Sequence, residues 1–167
     1  FFTLLGFAVI SEIPWYLLNG ADGTHNVIFT LALGVATLMV LENLLQRSMV
    51  LGFLWTLGMA GIASWLGVDY EWRGIIVIVI FYLFNVYGHS FPYSRGMQFF
   101  STFALMIHYG VIGAVMACMI LYLYNGKRGF VQGSIAKYGF YAFYPAHFIL
   151  FIQICERSFP CILMFKL

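Results

Sequence analysis

Two ionisable residues of this 167-residue chain could do acid–base chemistry from within an apolar run: Glu12, in Ile10-Ser11-Glu12-Ile13-Pro14, and His147, in Phe143-Tyr144-Pro145-Ala146-His147. A carboxylate at the centre of a bilayer costs about 2.5–3.5 kcal/mol and less toward an end. Pro14 would let the helix bend or stop beside it, so Glu12 reads equally as an interior group or as one already at an interface. His147 is poised to take or give a proton near neutral pH. Pro145 has no backbone N–H and leaves the carbonyl of Tyr141 without its usual helical partner, which makes the local backbone polar and bent. Tyr141, Tyr144 and His147 follow one another at i, i+3 spacing and form one ridge on a helix. A lone buried histidine is more often a structural hydrogen-bonder than a catalyst, but beside a proline kink and two phenols both readings stay open for His147.

The remaining polar positions have plainer readings. His108, next to Tyr109, has no second ionisable residue near it in sequence and reads as structural. Asn26 caps a helix, with Thr30 one turn on. Tyr124-Asn125-Gly126 suits the left-handed exit from a helix. No GxSxG, HExxH, P-loop or GxGxxG pattern is present. The three cysteines, Cys118, Cys155 and Cys161, form no CxxC pair, so neither a metal site nor a disulfide framework is expected. Eight Lys and Arg against six Asp and Glu are scattered singly, which excludes a nucleic-acid footprint.

The elements that must position these groups follow from composition. With 63% hydrophobic and 8% charged residues and a mean hydropathy of +0.93, a soluble domain of this size could not hide its apolar surface, whereas lipid can face all of it. The expected class is all-α, a polytopic transmembrane bundle of about six helices. Apolar runs place them near Phe2 to Leu18, Val27 to Leu45, Val50 to Leu66, Gly74 to Tyr87, Phe99 to Tyr124 and Tyr138 to Ile154. Brief links, among them the His89 to Arg95 stretch with Pro92, imply sequential antiparallel neighbours. Taken with one crossing per run, Arg47, Arg95, Arg157 and Lys166 face one side and Arg73, Lys127, Arg128 and Lys137 the other, an even split that sets no orientation. Trp15, Tyr16, Trp65, Tyr70, Trp72, Tyr122, Tyr124 and Tyr138 gather near the ends of the runs, as an interfacial aromatic belt would. Because the chain opens on Phe1-Phe2 inside an apolar stretch, it reads as part of a longer protein, with a membrane domain over 1–154 and a tail over 155–167.

Taken in order, Ile10-Ser11-Glu12-Ile13-Pro14, Asn26-Val27-Ile28-Phe29-Thr30-Leu31-Ala32-Leu33-Gly34, Tyr124-Asn125-Gly126 and Lys137-Tyr138-Gly139-Phe140-Tyr141-Ala142-Phe143-Tyr144-Pro145-Ala146-His147 resemble the TraX family of bacterial membrane proteins, from Phe2 to about Ile154. That resemblance implies an acetyltransferase of the bacterial inner membrane, similar to multi-helix acyltransferases. Acetyl would pass from acetyl-CoA, without a metal, to an amine or hydroxyl acceptor such as a pilin N-terminus. It also implies a preceding hydrophobic portion carrying an Asp-His pair. Under it, His147 becomes a general base or donor orienter, and Glu12 its ionic partner or a ligand of the substrate amine. Asn26, Tyr124, Asn125, Tyr141 and Tyr144 become binding groups of the bundle interior. An amine is largely protonated at neutral pH, so a base must act before it attacks a thioester, and a water-excluding pocket favours that step. A non-catalytic assembly component of a conjugation or pilus system, or a small transporter, are the competing classes; a transporter would spread ionisable residues over several broken helices.

Overall fold

The computed structural model of the chain describes residues 1–20, 23–88, 93–124 and 133–158. Among them it is all-α, with seven helices: α1 (Phe2–Asn19), α2 (Val27–Arg47), α3 (Met49–Trp65), α4 (Glu71–Val86), α5 (Ser94–Met106), α6 (Val111–Leu123) and α7 (Ser134–Ser158). No strand forms among the described residues beyond a lone parallel bridge from His25 to Val68. The first four apolar runs correspond to α1 to α4 within a few residues. Pro14 does not end α1, which continues through it to Asn19.

The expected single crossing from Phe99 to Tyr124 is corrected: the run is a helical hairpin. A 3-10 turn over Ile107–Tyr109 and Gly110, at φ 127°, separate α5 from α6. That φ favours glycine, and the turn residues Ile107 and Tyr109 are apolar, so hydropathy reads straight through a break that backbone dihedrals impose. The two helices return antiparallel, with the Phe99 and Tyr122 rings 6.4 Å apart. Tyr124 therefore comes back to the end where Arg95 begins α5, with which it lines a shared cleft. The even split of Lys and Arg rested on one crossing over this run and no longer holds.

α2 packs against α1, α3 and α4, α1 also packs against α7, and the α5–α6 hairpin joins through α4. α1 and α7 run parallel, since Phe7 stacks on Tyr141 at 5.2 Å while Trp15 meets Phe148 edge-on at 5.6 Å. The buried interior mixes small and hydroxylated residues, Ala8, Ser11, Thr30, Ala32, Thr37, Thr56, Ala60, Ala63 and Ala114, with a few larger apolar ones, Ile28, Leu41, Met59, Val68, Ile75 and Val79. Large apolar side chains such as Phe2, Met49, Trp65, Ile112 and Ile135 face outward. Two helices, α1 and α2, are long and apolar enough to cross a membrane, while α3 and α6 are apolar but shorter.

The α2–α4 crossing is tight enough to restrict two glycines. A Cβ at Gly74 would lie 2.5 Å from Cγ2 of Thr30 and 2.9 Å from Cβ of Tyr70, neither of which can swing away, whereas one at Gly34 would meet the mobile Cδ1 of Ile78. Gly74→Ala should therefore destabilise the protein by about 1–3 kcal/mol through overpacking. Gly34→Ala should be near neutral, the gain in helix propensity offsetting a rotamer shift of Ile78. Thermal unfolding in detergent compares the two, and a Gly74→Ala midpoint at or above that of Gly34→Ala would contradict this packing.

Candidate functional site

The residues with chemical capacity meet where α2 begins. Asn26 is its N-cap, and its Oδ1 accepts from Ile28 N at 3.0 Å while its carbonyl accepts from Phe29 N at 3.0 Å. The amide of the same side chain donates to Glu12 Oε2 at 2.6 Å and to the Ala8 carbonyl at 2.9 Å, which ties the cap to the middle of α1. Asn26 N adds a longer contact to Glu12 Oε2 at 3.4 Å. Asn26 is fully buried, so its bonds to Ile28 and Ala8 are made out of reach of water, while Glu12 keeps part of its side chain at the surface. From α7, the Tyr144 hydroxyl accepts from Val27 N at 3.4 Å. Three of the first backbone N–H groups of α2 are thus taken up by groups from its own cap and from α7.

Glu12 has a second partner: His25 Nδ1 lies 2.5 Å from Glu12 Oε1. With Nδ1–H donated to the carboxylate, Nε2 carries the free lone pair, and the His25 side chain is 45% exposed, which leaves that nitrogen reachable. The His25 backbone is fixed from the other direction by the α3–α4 turn. Its N–H donates to the Gly67 carbonyl and its carbonyl accepts from Asp69 N, both at 2.9 Å. Trp15 Nε1 holds the same loop by donating to the Thr24 carbonyl at 3.1 Å. Phe29, 5.5 Å from the His25 ring, lines an apolar recess of about 210 Å³ together with Leu33, Leu66 and Val68.

Two further groups border this node from the α3–α4 turn. Burial holds the Asp69 carboxyl above the usual carboxylate range. Burial, then the charges of Asp69 and Tyr109, raises the Tyr70 phenol. The Tyr70 ring meets that of Tyr109 edge-on at 5.0 Å. Arg73, on the first turn of α4, lies 4.7 Å from the Trp72 ring and 5.8 Å from that of Tyr109 and pairs with Glu71 at 3.4 Å.

Of the residues singled out in the sequence, Glu12, Asn26 and Tyr144 come together. Tyr141 stays on the Tyr144 ridge but stacks on Phe7. His147 lies one turn beyond, its ring 5.3 Å from that of Tyr144, and its Nδ1 bonds to the Phe143 carbonyl at 3.2 Å. The ionic partner of Glu12 is accordingly His25 rather than His147, because the loop after α1 folds back over its last turns. Tyr124 is at the opposite end of the bundle, beside Arg95 and Asn85. Asn125 lies outside the described residues. His25, Asp69 and Tyr70 are the residues that sequence reasoning missed. One signal was present: a histidine immediately before the N-cap of an apolar helix, at a position read only as a link.

Residues 1–155 match the family described as TraX protein. The chain is also similar to a probable fimbrial assembly protein, FimC of serogroup H1, from Dichelobacter nodosus. The two are 28% identical over 177 aligned residues, which cover 88% of this chain and 67% of that protein. No solved structure matches the chain.

Asn26→Ala should cost about 2–4 kcal/mol, since it removes a helix cap and leaves the Glu12 carboxylate short of a donor; denaturant unfolding in detergent measures it, and a loss under half a kcal/mol would contradict the node. Asp69 gives a prediction in pH. Its folded pKa is above the unfolded value, so its contribution is most favourable below the ordinary carboxylate range and is lost as pH rises through the folded value. Asp69→Asn should therefore raise the unfolding midpoint at pH 7 and leave it little changed near pH 3, and the reverse dependence would refute the assignment.

Proposed function

Because the chain belongs to the TraX family, we propose that it is an integral protein of the bacterial inner membrane that serves a pilus or conjugation apparatus by transferring acetyl from acetyl-CoA to an amine acceptor. A pilin N-terminus or another membrane-held amine is the acceptor this reading favours. The observation that carries the chemistry is the Glu12–His25 pair at 2.5 Å, an oriented imidazole with one free nitrogen beside an apolar recess. Membrane insertion is supported by the many large apolar side chains that face outward, by the alanines, threonines and serine packed among the buried groups, and by α1 and α2, which are long and apolar enough to cross a membrane. Lipid supplies no hydrophobic drive between helices, so close contact through small residues replaces it.

In this mechanism the acceptor arrives as an ammonium and His25 Nε2 takes its proton. Glu12 holds the ring in the tautomer with hydrogen on Nδ1 and stabilises the imidazolium that forms. The neutral amine forms a C–N bond to the thioester carbonyl carbon. Collapse of the tetrahedral adduct breaks the C–S bond, and the departing thiolate receives a proton from the imidazolium while the nitrogen releases its remaining excess proton to solvent. Asn26 fixes Glu12 and so acts as a positioning residue. Tyr144 reaches the start of α2 through Val27 N, and His147 lies one turn further along α7. Arg73, on the first turn of α4, is a cation at this end that can provide charge for the phosphates of the donor.

The printed name of the fimbrial relative favours a second reading, assembly without catalysis. Transfer of labelled acetyl from acetyl-CoA to pilin or added amines, in membranes carrying the parent or His25→Ala, separates the two. The expected loss is about 10²–10⁴-fold for His25→Ala, the range a general base contributes, with a smaller effect of His147→Ala. Transfer unaffected by His25→Ala would remove the dyad from the mechanism, and absence of transfer by a parent that still supports pilus assembly would establish the assembly reading.

A further inference from the structure

At the end of the bundle opposite the Glu12–His25 pair, a trough of about 710 Å³ runs between α4, α5 and α6 and reaches α2. Its walls are Leu38, Val77, Phe81, Met106, Ala117 and Leu121, so it is apolar along almost its whole length. Its polar side chains are Tyr82, Asn85 and Thr102, and of these Thr102 is 5% exposed with no hydrogen-bond partner for its hydroxyl. A buried hydroxyl without a partner costs about 1–3 kcal/mol, so it marks a place where an acceptor belongs. The trough opens into a narrower cleft of about 110 Å³ through Phe81, Asn85 and Leu121, which line both. There the walls change character to Arg95, Gln98, Asn85 and Tyr124. Apolar length and a polar, cationic mouth are the two halves of an amphipathic ligand.

Charge decides what kind. Arg95 is exposed, stands in the first turn of α5 and forms no salt bridge among the described residues. The unpaired N–H groups of a helix start add partial positive charge at the same place. Gln98 and Asn85 offer amide donors beside it, and Glu42, the acidic residue of α2, lines neither compartment. Thr102 is two turns deeper on the same helix than Arg95, a rise of about 10 Å. The hydroxyl oxygen is covered by the trough wall, and it can donate to an acyl ester carbonyl once the wall yields to the lipid with the phosphate at the mouth.

We propose that this trough holds one anionic glycerophospholipid, its acyl chain along α4 and α6 and its phosphate at Arg95. The site shares with the function above only insertion in a membrane and is independent of acyl transfer. Its elements explain each other: an otherwise orphaned hydroxyl, an unpaired cation and a long apolar channel are satisfied together by one molecule.

The test is lipid retention by the protein reconstituted in phosphatidylcholine nanodiscs with a minor fraction of phosphatidylglycerol, read by native mass spectrometry after release into mild detergent. The parent should keep one phosphatidylglycerol per chain with at least a tenfold preference over phosphatidylcholine. Arg95→Gln should abolish the preference and Arg95→Lys should retain most of it. Ala117→Trp, which fills the trough, should lose bound lipid of both kinds; the exposed Arg95 pair carries the test should the tryptophan variant fail to fold. The proposal is overturned if Arg95→Gln keeps the preference of the parent, or if glycerol phosphate without acyl chains competes as well as the lipid. A change of oligomeric state in Ala117→Trp with lipid retention unaltered would assign the trough to a protein partner instead and also overturn it.

Discussion

The start of α2 is buried, and the architecture is arranged around that cost. A helix leaves its first backbone N–H groups without internal partners, and each one left bare in an apolar setting would cost several kcal/mol. Here Asn26, buried at the cap, supplies one acceptor from its side chain and one from its carbonyl, and Tyr144 supplies a third from α7. The cap must itself be held, and the Glu12 carboxylate and the Ala8 carbonyl do that from α1. A single capping requirement therefore binds α1, α2 and α7 into one unit.

The same node orients the imidazole on which the proposed chemistry rests. Once Glu12 is anchored by Asn26, its other oxygen is free to orient His25, and the backbone of His25 is clamped to the α3–α4 turn through Gly67 and Asp69. An imidazole so held on both its ring and its backbone has little freedom to leave the carboxylate, which is the preorganisation that proton transfer at a fixed place requires. Structure and prospective catalysis use the same atoms. Substitutions at Asn26 are consequently expected to act on stability and on the geometry of the pair together, whereas His25, with a half-exposed side chain, offers a cleaner separation of the two.

Polar groups are few in this protein, and they divide between two ends. Near the α2 start stand Glu12, Asp69 and Glu71 with Arg73, beside the His25 imidazole. At the far end stand Arg47 and Arg95 with Glu42. Between them the helices meet through alanine, glycine and hydroxyl side chains together with Leu41, Met59, Ile75 and Val79, closely enough that a Cβ at Gly74 would collide with Thr30. Such packing leaves no room for larger polar groups in the middle and concentrates the chemistry at the ends.

Much was legible in the sequence. Apolar run length located the first four helices and the last one, because a long apolar run bounded by polar and glycine-containing links reads as a helix by hydropathy alone. The cap at Asn26 was readable from residue type, since an amide before an apolar run has one favoured local role. Glu12 and Tyr144 were visible as polar groups at unusual places. What the sequence could not carry was their pairing. That Glu12 meets His25 depends on a loop folding back over α1, and that Tyr144 reaches Val27 depends on α7 running parallel to α1 across more than a hundred residues of intervening chain. The break at Gly110 was hidden for a different reason: its determinant is a backbone dihedral, and the residues around it are as apolar as a span. Local propensity and solvent preference are written residue by residue, so the elements follow from sequence; the contacts that make a site are set by which elements pack together, and only the tertiary structure decides that.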